Sequence, residues 1–311
     1  MRLDPTVTHA RVFPLIDVSR DQLAAVIGGR IISAEPVDGG LTNTIHKVVT
    51  ESNETFGVKH YAGGRDWFET ELMTLTLLHR TLPVPEIVHV DDERLVIVYR
   101  WIEGVTLHDL RRKGNKEGFA SLAEPLGTAL ALLAKTDATE PFDLTSVLEA
   151  SYVRLTDGRA RKRLGPPLAD AIKRELEAAE PMMAWGAVCL SHGDLSHRNV
   201  IVAKRGSSWR INGIIDWETA TTSSPLFDIG SLFRYSERHD AAFLQSFELG
   251  YREGGGNLPD GWNRWSRLLD SLDLIELLDE EHGLDVLFGD CRTLIAKLVG
   301  DCERASSRIM R

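Results

Sequence analysis

Apolar residues along the chain first recur in short β-rich runs and later at helical spacing. The early runs are Ile31–Val37, Ile45–Thr50 and Thr55–Tyr61, joined by Asp38-Gly39-Gly40 and by the polar turn Glu51-Ser52-Asn53-Glu54. Within the third run, Phe56 and Val58 share one strand face while Gly57 and Lys59 share the other. A short helix fits Asp21–Ile27. From Asp66 to Leu82 the period lengthens, with Phe68, Leu72, Leu75 and Leu78 at helical spacing, and Pro83 and Pro85 end the pattern. Two further strands fit Ile87–Val90 and Arg94–Trp101. Beyond Gly104 the pattern is mostly helical, for example over Leu122–Ala134 and Leu168–Ala179. Three apolar runs of strand length interrupt it, Ala187–Ser191, Val200–Ala203 and Trp209–Ile215, and helix resumes from about Ser224. The expected fold class is therefore α+β. A β-rich N-terminal lobe at 1–98 is followed by a hinge at 99–104. A mostly helical C-terminal lobe, at 105–311, carries a small strand insert.

Composition narrows the function without naming it. The chain has 311 residues, 43% of them hydrophobic, and a formal net charge of −10. That balance suits a globular enzyme that attracts cationic small molecules, and it disfavours non-specific nucleic-acid binding. Cys189, Cys291 and Cys302 are scattered, with no metal-site spacing, and read as small buried hydrophobes. No apolar stretch approaches the roughly 18 residues of a membrane span, and the first residues hold no signal-peptide core. The expectation is a cytoplasmic protein, a monomer or small homo-oligomer, with neither nucleic acid nor membrane as partner.

The chemistry concentrates in "SHGDLSHRNVIV", residues 191–202, a polar loop between two apolar runs. His192, Asp194 and Asn199 meet the kinase spacing H-x-D with asparagine five positions after the aspartate. Phosphoryl transfer needs a carboxylate for an alcohol's proton and a nearby oxygen ligand for magnesium. The plain alternative is a turn in which Asp and Asn cap backbone groups. Asp216 ends the apolar strand in "INGIIDWETA", where kinases place their main metal-binding aspartate. Glu218 reads equally as a metal or water ligand and as a solvated turn residue.

Upstream, Gly39, Gly40, Thr42 and Asn43 of "DGGLTN" form a small-residue turn whose backbone N–H groups could meet phosphate oxygens, or a simple hairpin turn. Lys59 can face a cleft from its strand. Glu71 is the expected acid partner, because Leu72, Leu75 and Leu78 pack beside it on the core side; Glu69 is the second choice. "VYRWIEG", with Tyr99, Trp101 and Ile102, sits where a two-lobed kinase reads the adenine edge with its tether. Asp228, after Pro225, reads as a helix cap that also holds the loop in shape.

These motifs together resemble the aminoglycoside phosphotransferase and choline-kinase-like family, which has the protein-kinase-like fold. The likeness covers roughly residues 30–300 by motif order. It implies a Mg²⁺-dependent transfer of the γ-phosphate of ATP or GTP to a small-molecule hydroxyl. It implies Asp194 as catalytic base, Asn199 and Asp216 as Mg²⁺ ligands, Lys59 on the α- and β-phosphates, and Glu71 orienting Lys59. His192 then supports the loop. Two departures stand out. Ser196-His197-Arg198 replaces a His-Pro-Gly-like run, with Arg198 read as solvated, and Gly193 stands where protein kinases carry arginine. Few residues separate Asp216 from Pro225, so no activation segment is expected and the acceptor is a small molecule.

In such proteins the C-terminal helices hold the acceptor. Here Asp273, Glu276 and Glu280 fall at i, i+3, i+7 and are expected on one helix face that would bind a cationic alcohol, unless they form a solvated face. Trp262 and Trp265 read as core. An aminoglycoside-type acceptor leads; choline, homoserine, a thiosugar and a macrolide follow. The reading from another class is a non-catalytic nucleotide-binding pseudoenzyme, which would usually lack a lysine, base or metal ligand, and none is missing.

Overall fold

The first helix begins where Ser19 caps it: its side chain accepts from the Gln22 N–H while Gln22 reaches back to Ser19. This helix, α1 (Arg20–Ile27), ends at Gly28 in the left-handed conformation. Five strands follow, β1 (Ile31–Pro36), β2 (Thr44–Thr50), β3 (Thr55–His60), β4 (Ile87–Asp91) and β5 (Val96–Arg100), with α2 (Arg65–Leu78) between β3 and β4. The computed structural model describes residues 13–37, 42–137, 141–282 and 285–309.

The sheet is antiparallel in the order β1-β2-β3-β5-β4. Alternation sorts its residues onto two faces. Val48, Phe56, Val58, Val96 and Val98 join Leu23 of α1 and Ile31 in one core cluster. Tyr61 and Ile97 pack with Phe68 of α2 on the other side. Lys59 shares that second face, as its position between Val58 and His60 requires. Helix α2 stops at Leu78 rather than Leu82. The N–H groups of Thr81 and Leu82 both return to the Leu78 carbonyl, which closes the helix into a turn before Pro83.

Contacts divide the chain into two compact units, interleaved in sequence. The first holds described residues 13–122 and 197–220. Besides the five-stranded sheet it has a second antiparallel sheet of Val105–Thr106, Val200–Arg205 and Ser208–Ile214. The Ile214 N–H donates to the Pro83 carbonyl at 2.7 Å, which ties this sheet to the segment after α2.

The second unit holds residues 123–196 and the chain from 221 onward. It is mostly helical, with Cys189–Ser191 paired antiparallel to Thr221–Ser223, a short strand that the hydrophobic pattern does not announce. Helix Leu226–Leu232 lies close against helix Trp262–Asp279. A Cβ on Gly230 would stand 2.0 Å from the Ser266 carbonyl oxygen, so only glycine permits this approach. Trp262 is core, packed against Phe233 and Phe247 at ring-centroid distances of 5.5 and 5.4 Å. Among the described residues no helix is long and apolar enough to cross a membrane.

Candidate active site

In the first unit a lysine is buried among acids. Lys59, 2% exposed, projects from β3. Its Nζ lies 2.5 Å from Glu71 Oε2, 2.9 Å from Asp216 Oδ1 and 2.5 Å from Glu218 Oε2. Glu71 reaches it because Phe68, Glu71, Leu75 and Leu78 form the buried stripe of α2. Glu69 lies off that stripe, exposed and paired with Arg65 at 3.2 Å. Tyr61, two residues after Lys59 on the same strand face, donates its hydroxyl to Glu71 Oε2 at 2.6 Å. Burial by itself would lower the Lys59 pKa, but Asp216 and Glu71 outweigh it and hold the ammonium well above its usual range. Burial, reinforced by Asp216 and opposed by Lys59, pushes Glu218 up to about 7.

Asp216 stands at the end of strand Ser208–Ile214 with φ +75°, a left-handed backbone that aspartate tolerates better than most residues. The pairing of Val200 with Ile214 sets Asn199 opposite Ile215, whose N–H donates to the Asn199 carbonyl at 2.9 Å. Asn199 and Asp216 therefore occupy adjoining strand ends. Ligand oxygens of Glu71, Asp216 and Glu218 all lie within 4.8 Å of one another. All three enclose the Lys59 ammonium, and Asp216, the least buried of them, offers the oxygen that a hard cation such as Mg²⁺ could take.

Gly39 and Gly40 lie outside the described residues. Thr42 and Asn43, just beyond them, are turned onto Glu218: Thr42 Oγ1 donates to Oε1 at 3.0 Å, and Asn43 Nδ2 donates to Oε2. Of the residues expected in a hinge, Tyr99 lies within β5, where it pairs with Gly57 across the sheet, and burial raises its phenol pKa. The Trp101 N–H is committed to the Thr55 carbonyl at 3.0 Å, and Lys47 sits over the Trp101 ring. Ile102 packs its δ-methyl against Gly213, where a Cβ would approach to 2.5 Å.

In the second unit the loop around Asp194 is held from below. The His192 N–H donates to Asp228 Oδ2 at 2.7 Å and the Gly193 N–H to Asp228 Oδ1 at 3.2 Å. Gly193 has φ +83°, which explains why glycine stands there and no side chain does. His192 is fully buried, and its Nδ1 accepts the Asp194 N–H at 3.3 Å. Burial raises the Asp228 pKa against the lowering effect of these bonds. Asp228→Ala would leave the buried His192 N–H without this acceptor, at about 1–3 kcal/mol, and the part-buried Gly193 N–H as well, at less. The expected result is a clear drop in melting temperature together with lost turnover. Asp228→Asn, which keeps one acceptor oxygen, should be milder; equal melting of wild type and Asp228→Ala would contradict the bracing role.

Asp194, half-buried, acts electrostatically on Arg234 and Asp273 in the same unit. Arg234 is 8% exposed and forms a two-pronged pair with Asp270, at 2.8 and 2.5 Å. Nothing local in the sequence signals this pair, whose members stand 36 residues apart. Asp273 lies one turn beyond Asp270. Burial first, then Asp270, push its pKa up to about 8, with Arg234 opposing. The expected acidic face needs one correction. Helix Trp262–Asp279 ends before Glu280, which is its C-cap and so leaves the helical spacing; the Glu280 carbonyl accepts from Arg163 at 2.7 Å. Glu276 stays on the helix, exposed, and pairs with Arg154 at 3.0 Å. Asp273 is the most enclosed of the three.

The sequence model of a family described as phosphotransferase enzyme family matches residues 33–267. No curated protein matches the sequence. Solved structures share the fold at low identity. The GDP and kanamycin complex of APH(2")-IIia superposes with a TM-score of 0.69 at 19% identity, covering 91% of this chain and 97% of that one. The macrolide 2'-phosphotransferase MphH from Brachybacterium faecium gives 0.65 at 17%, covering 88% and 95%. A choline/ethanolamine kinase family protein from Mesorhizobium loti gives 0.62 at 19%, covering 90% and 96%.

Proposed function

Because the chain belongs to the phosphotransferase enzyme family, we propose that it moves the γ-phosphate of ATP or GTP to a hydroxyl of a small cationic molecule, with an aminoglycoside-type antibiotic favoured. The observation that carries the reading is the buried Lys59 ammonium held by Glu71 and Asp216, with Asn199 on the adjoining strand end. A lysine kept charged in a dry site is a strong donor to phosphate oxygens. Tyr61 and Glu71 fix its position. Asp216 and Asn199 would hold Mg²⁺, which when bound supplies neutralisation of phosphate charge.

Asp194 takes the other role. It accepts a hydrogen bond from the acceptor hydroxyl, orients it for in-line attack and receives its proton as the new O–P bond forms and the bond to the departing nucleoside diphosphate breaks. Its loop reaches the reaction already ordered, since Asp228 fixes the two backbone N–H groups ahead of it. In this reading Tyr99, Trp101 and Ile102 belong to the adenine side of the nucleotide site, and Thr42 and Asn43 to its phosphate side.

The acceptor class rests on charge. The chain carries −10 overall, and Asp273 lies within the electrostatic reach of Asp194. Burial keeps Asp273 protonated up to about 8, so a cation binding beside it must drive its proton off. The sign follows from linkage: binding that releases a proton tightens as pH rises toward that value. Affinity for a cationic acceptor should therefore increase between about pH 6 and pH 8, and Asp273→Asn should both weaken it and flatten the profile. Calorimetry in buffers of different ionisation heat reads the released proton directly. A flat profile in wild type would remove Asp273 from the acceptor site.

The test of the function is nucleotide consumption with Mg²⁺ across aminoglycosides, choline, homoserine, thiosugars and macrolides, with a basic protein as control. An aminoglycoside-dependent rise is expected. A rise with another acceptor changes the substrate but keeps the reaction. Mg²⁺-dependent nucleotide binding with no turnover on any acceptor favours a non-catalytic nucleotide-binding module.

A further inference from the structure

Glu218 lies two residues beyond Asp216 and is 7% exposed. A buried carboxylate is costly unless donors fill its oxygens. Three separated parts of the chain supply them here. Thr42 Oγ1 donates to Oε1 at 3.0 Å, Asn43 Nδ2 donates to Oε2, and Lys59 Nζ stands 2.5 Å from Oε2. Asn43 is also fixed from its far end, where its Oδ1 accepts the Ala62 N–H at 3.1 Å. Glu218 therefore joins the segment entering β2, the lysine of β3 and the strand end that carries Asp216.

We propose that Glu218 is a positioning residue for the phosphate donor: it anchors Thr42 and Asn43 against Lys59 so that the nucleotide's phosphates meet a fixed rim of donors. The inference rests on the phosphotransferase reading. An ammonium has three protons to donate, and Lys59 faces three carboxylates. With Asp216 on the cation it would hold, one Lys59 N–H would be left to donate to a phosphate oxygen. Glu71 and Glu218 continue to hold the other two, which keeps the ammonium aimed. Loss of Glu218 removes one of those two restraints and also frees Thr42 and Asn43 from their common acceptor.

The test compares Glu218→Ala, Glu218→Gln, Thr42→Val, Asn43→Ala and the double variant Thr42→Val/Glu218→Ala. Binding of a fluorescent nucleoside triphosphate is titrated at fixed Mg²⁺, and then Mg²⁺ at fixed nucleotide. Steady-state constants are measured for nucleotide and acceptor, and melting curves confirm folding. The expected result for Glu218→Ala is about tenfold weaker nucleotide binding, the loss of one hydrogen bond to a charged group. KM for the nucleotide rises, while KM for the acceptor and the Mg²⁺ midpoint stay put. Thr42→Val and Asn43→Ala lose affinity in the same direction. The double variant is no weaker than Glu218→Ala alone, because both changes break one connection. Glu218→Gln, which still offers an acceptor oxygen, recovers part of the loss. A merely structural role would lower the active fraction without splitting the two KM values.

Three outcomes overturn the proposal. Wild-type affinity in Glu218→Ala removes the positioning role. A shifted Mg²⁺ midpoint in the Glu218 variants, absent from Thr42→Val and Asn43→Ala, makes Glu218 a metal ligand instead. In both cases wild type still binds nucleotide, so the phosphotransferase reading stands. Failure of the wild type to bind nucleotide at all brings down that reading and the positioning role with it.

Discussion

Asp194→Asn is expected to lower turnover by about 10²–10⁴-fold, the usual contribution of a positioned general base. The substitution keeps size and shape but removes the group that receives the acceptor's proton. Its neighbours should stay in place. The loop is held through the His192 and Gly193 N–H groups on Asp228, and neither bond involves the Asp194 side chain. Nucleotide affinity should change little, because Lys59, assigned to the phosphates, and Asp216, assigned to Mg²⁺, belong to the other compact unit. Acceptor affinity should change modestly, since one negative charge is lost beside Asp273 and Arg234. The measurement is kcat and both KM values for the two proteins side by side, with nucleotide binding titrated separately. Turnover within a few-fold of wild type would remove Asp194 from the proton's path. In a loose phosphoryl-transfer transition state, alignment of the hydroxyl would then carry the rate.

The second large effect concerns stability. Arg234 and Asp270 form a buried, two-pronged pair with Asp270 only 1% exposed. Arg234→Met should destabilise the protein by about 3–5 kcal/mol, because it strands an uncompensated carboxylate in the interior. Asp270→Leu should cost a similar amount by stranding the guanidinium. The double variant should recover most of the loss, since a buried ion pair exchanged for well-packed apolar groups is often neutral. Chemical denaturation of the four proteins gives the cycle directly. Additive losses would show that each residue matters through other contacts, such as the bond from Arg234 Nη2 to Ser231 Oγ at 3.3 Å. Arg234 also opposes the upward push on Asp273. Its removal should therefore raise the pH at which a cationic acceptor displaces the Asp273 proton.

The strands of the first half match their expected spans to within about two residues, as alternation on a half-buried sheet allows. Helix ends matched less well. The helix expected at Leu168–Ala179 runs over Pro166–Met183; it can start earlier because prolines in a first turn have no N–H to lose. The partnership of Lys59 with Glu71 was legible, since one period places the lysine on an inner strand face and another places the acid on the buried stripe of α2. The same alternation puts Tyr61, two residues on, beside Lys59. Glu218 was ambiguous between ligand and solvated turn. Its contacts come from Thr42, Asn43 and Lys59, more than 150 residues away, and no local pattern encodes them. Glu280 departs for the opposite reason: i, i+3, i+7 spacing holds only within a helix, and this one stops at Asp279.

What the sequence determined by itself is the set of chemical groups and their order. The H-x-D loop with its asparagine, the strand-end Asp216, the strand lysine and the helix glutamate are properties of short segments. Period and spacing report them because each depends on local backbone geometry. Tertiary structure alone decided how residues 197–220 leave the helical unit to join the β-rich one, so that Asn199 and Asp216 share a compact unit with Lys59. It decided the Arg234–Asp270 pair and the burial that gives Asp273 its proton. These depend on which surfaces exclude water, and desolvation is set by everything packed around a group rather than by its neighbours in the chain.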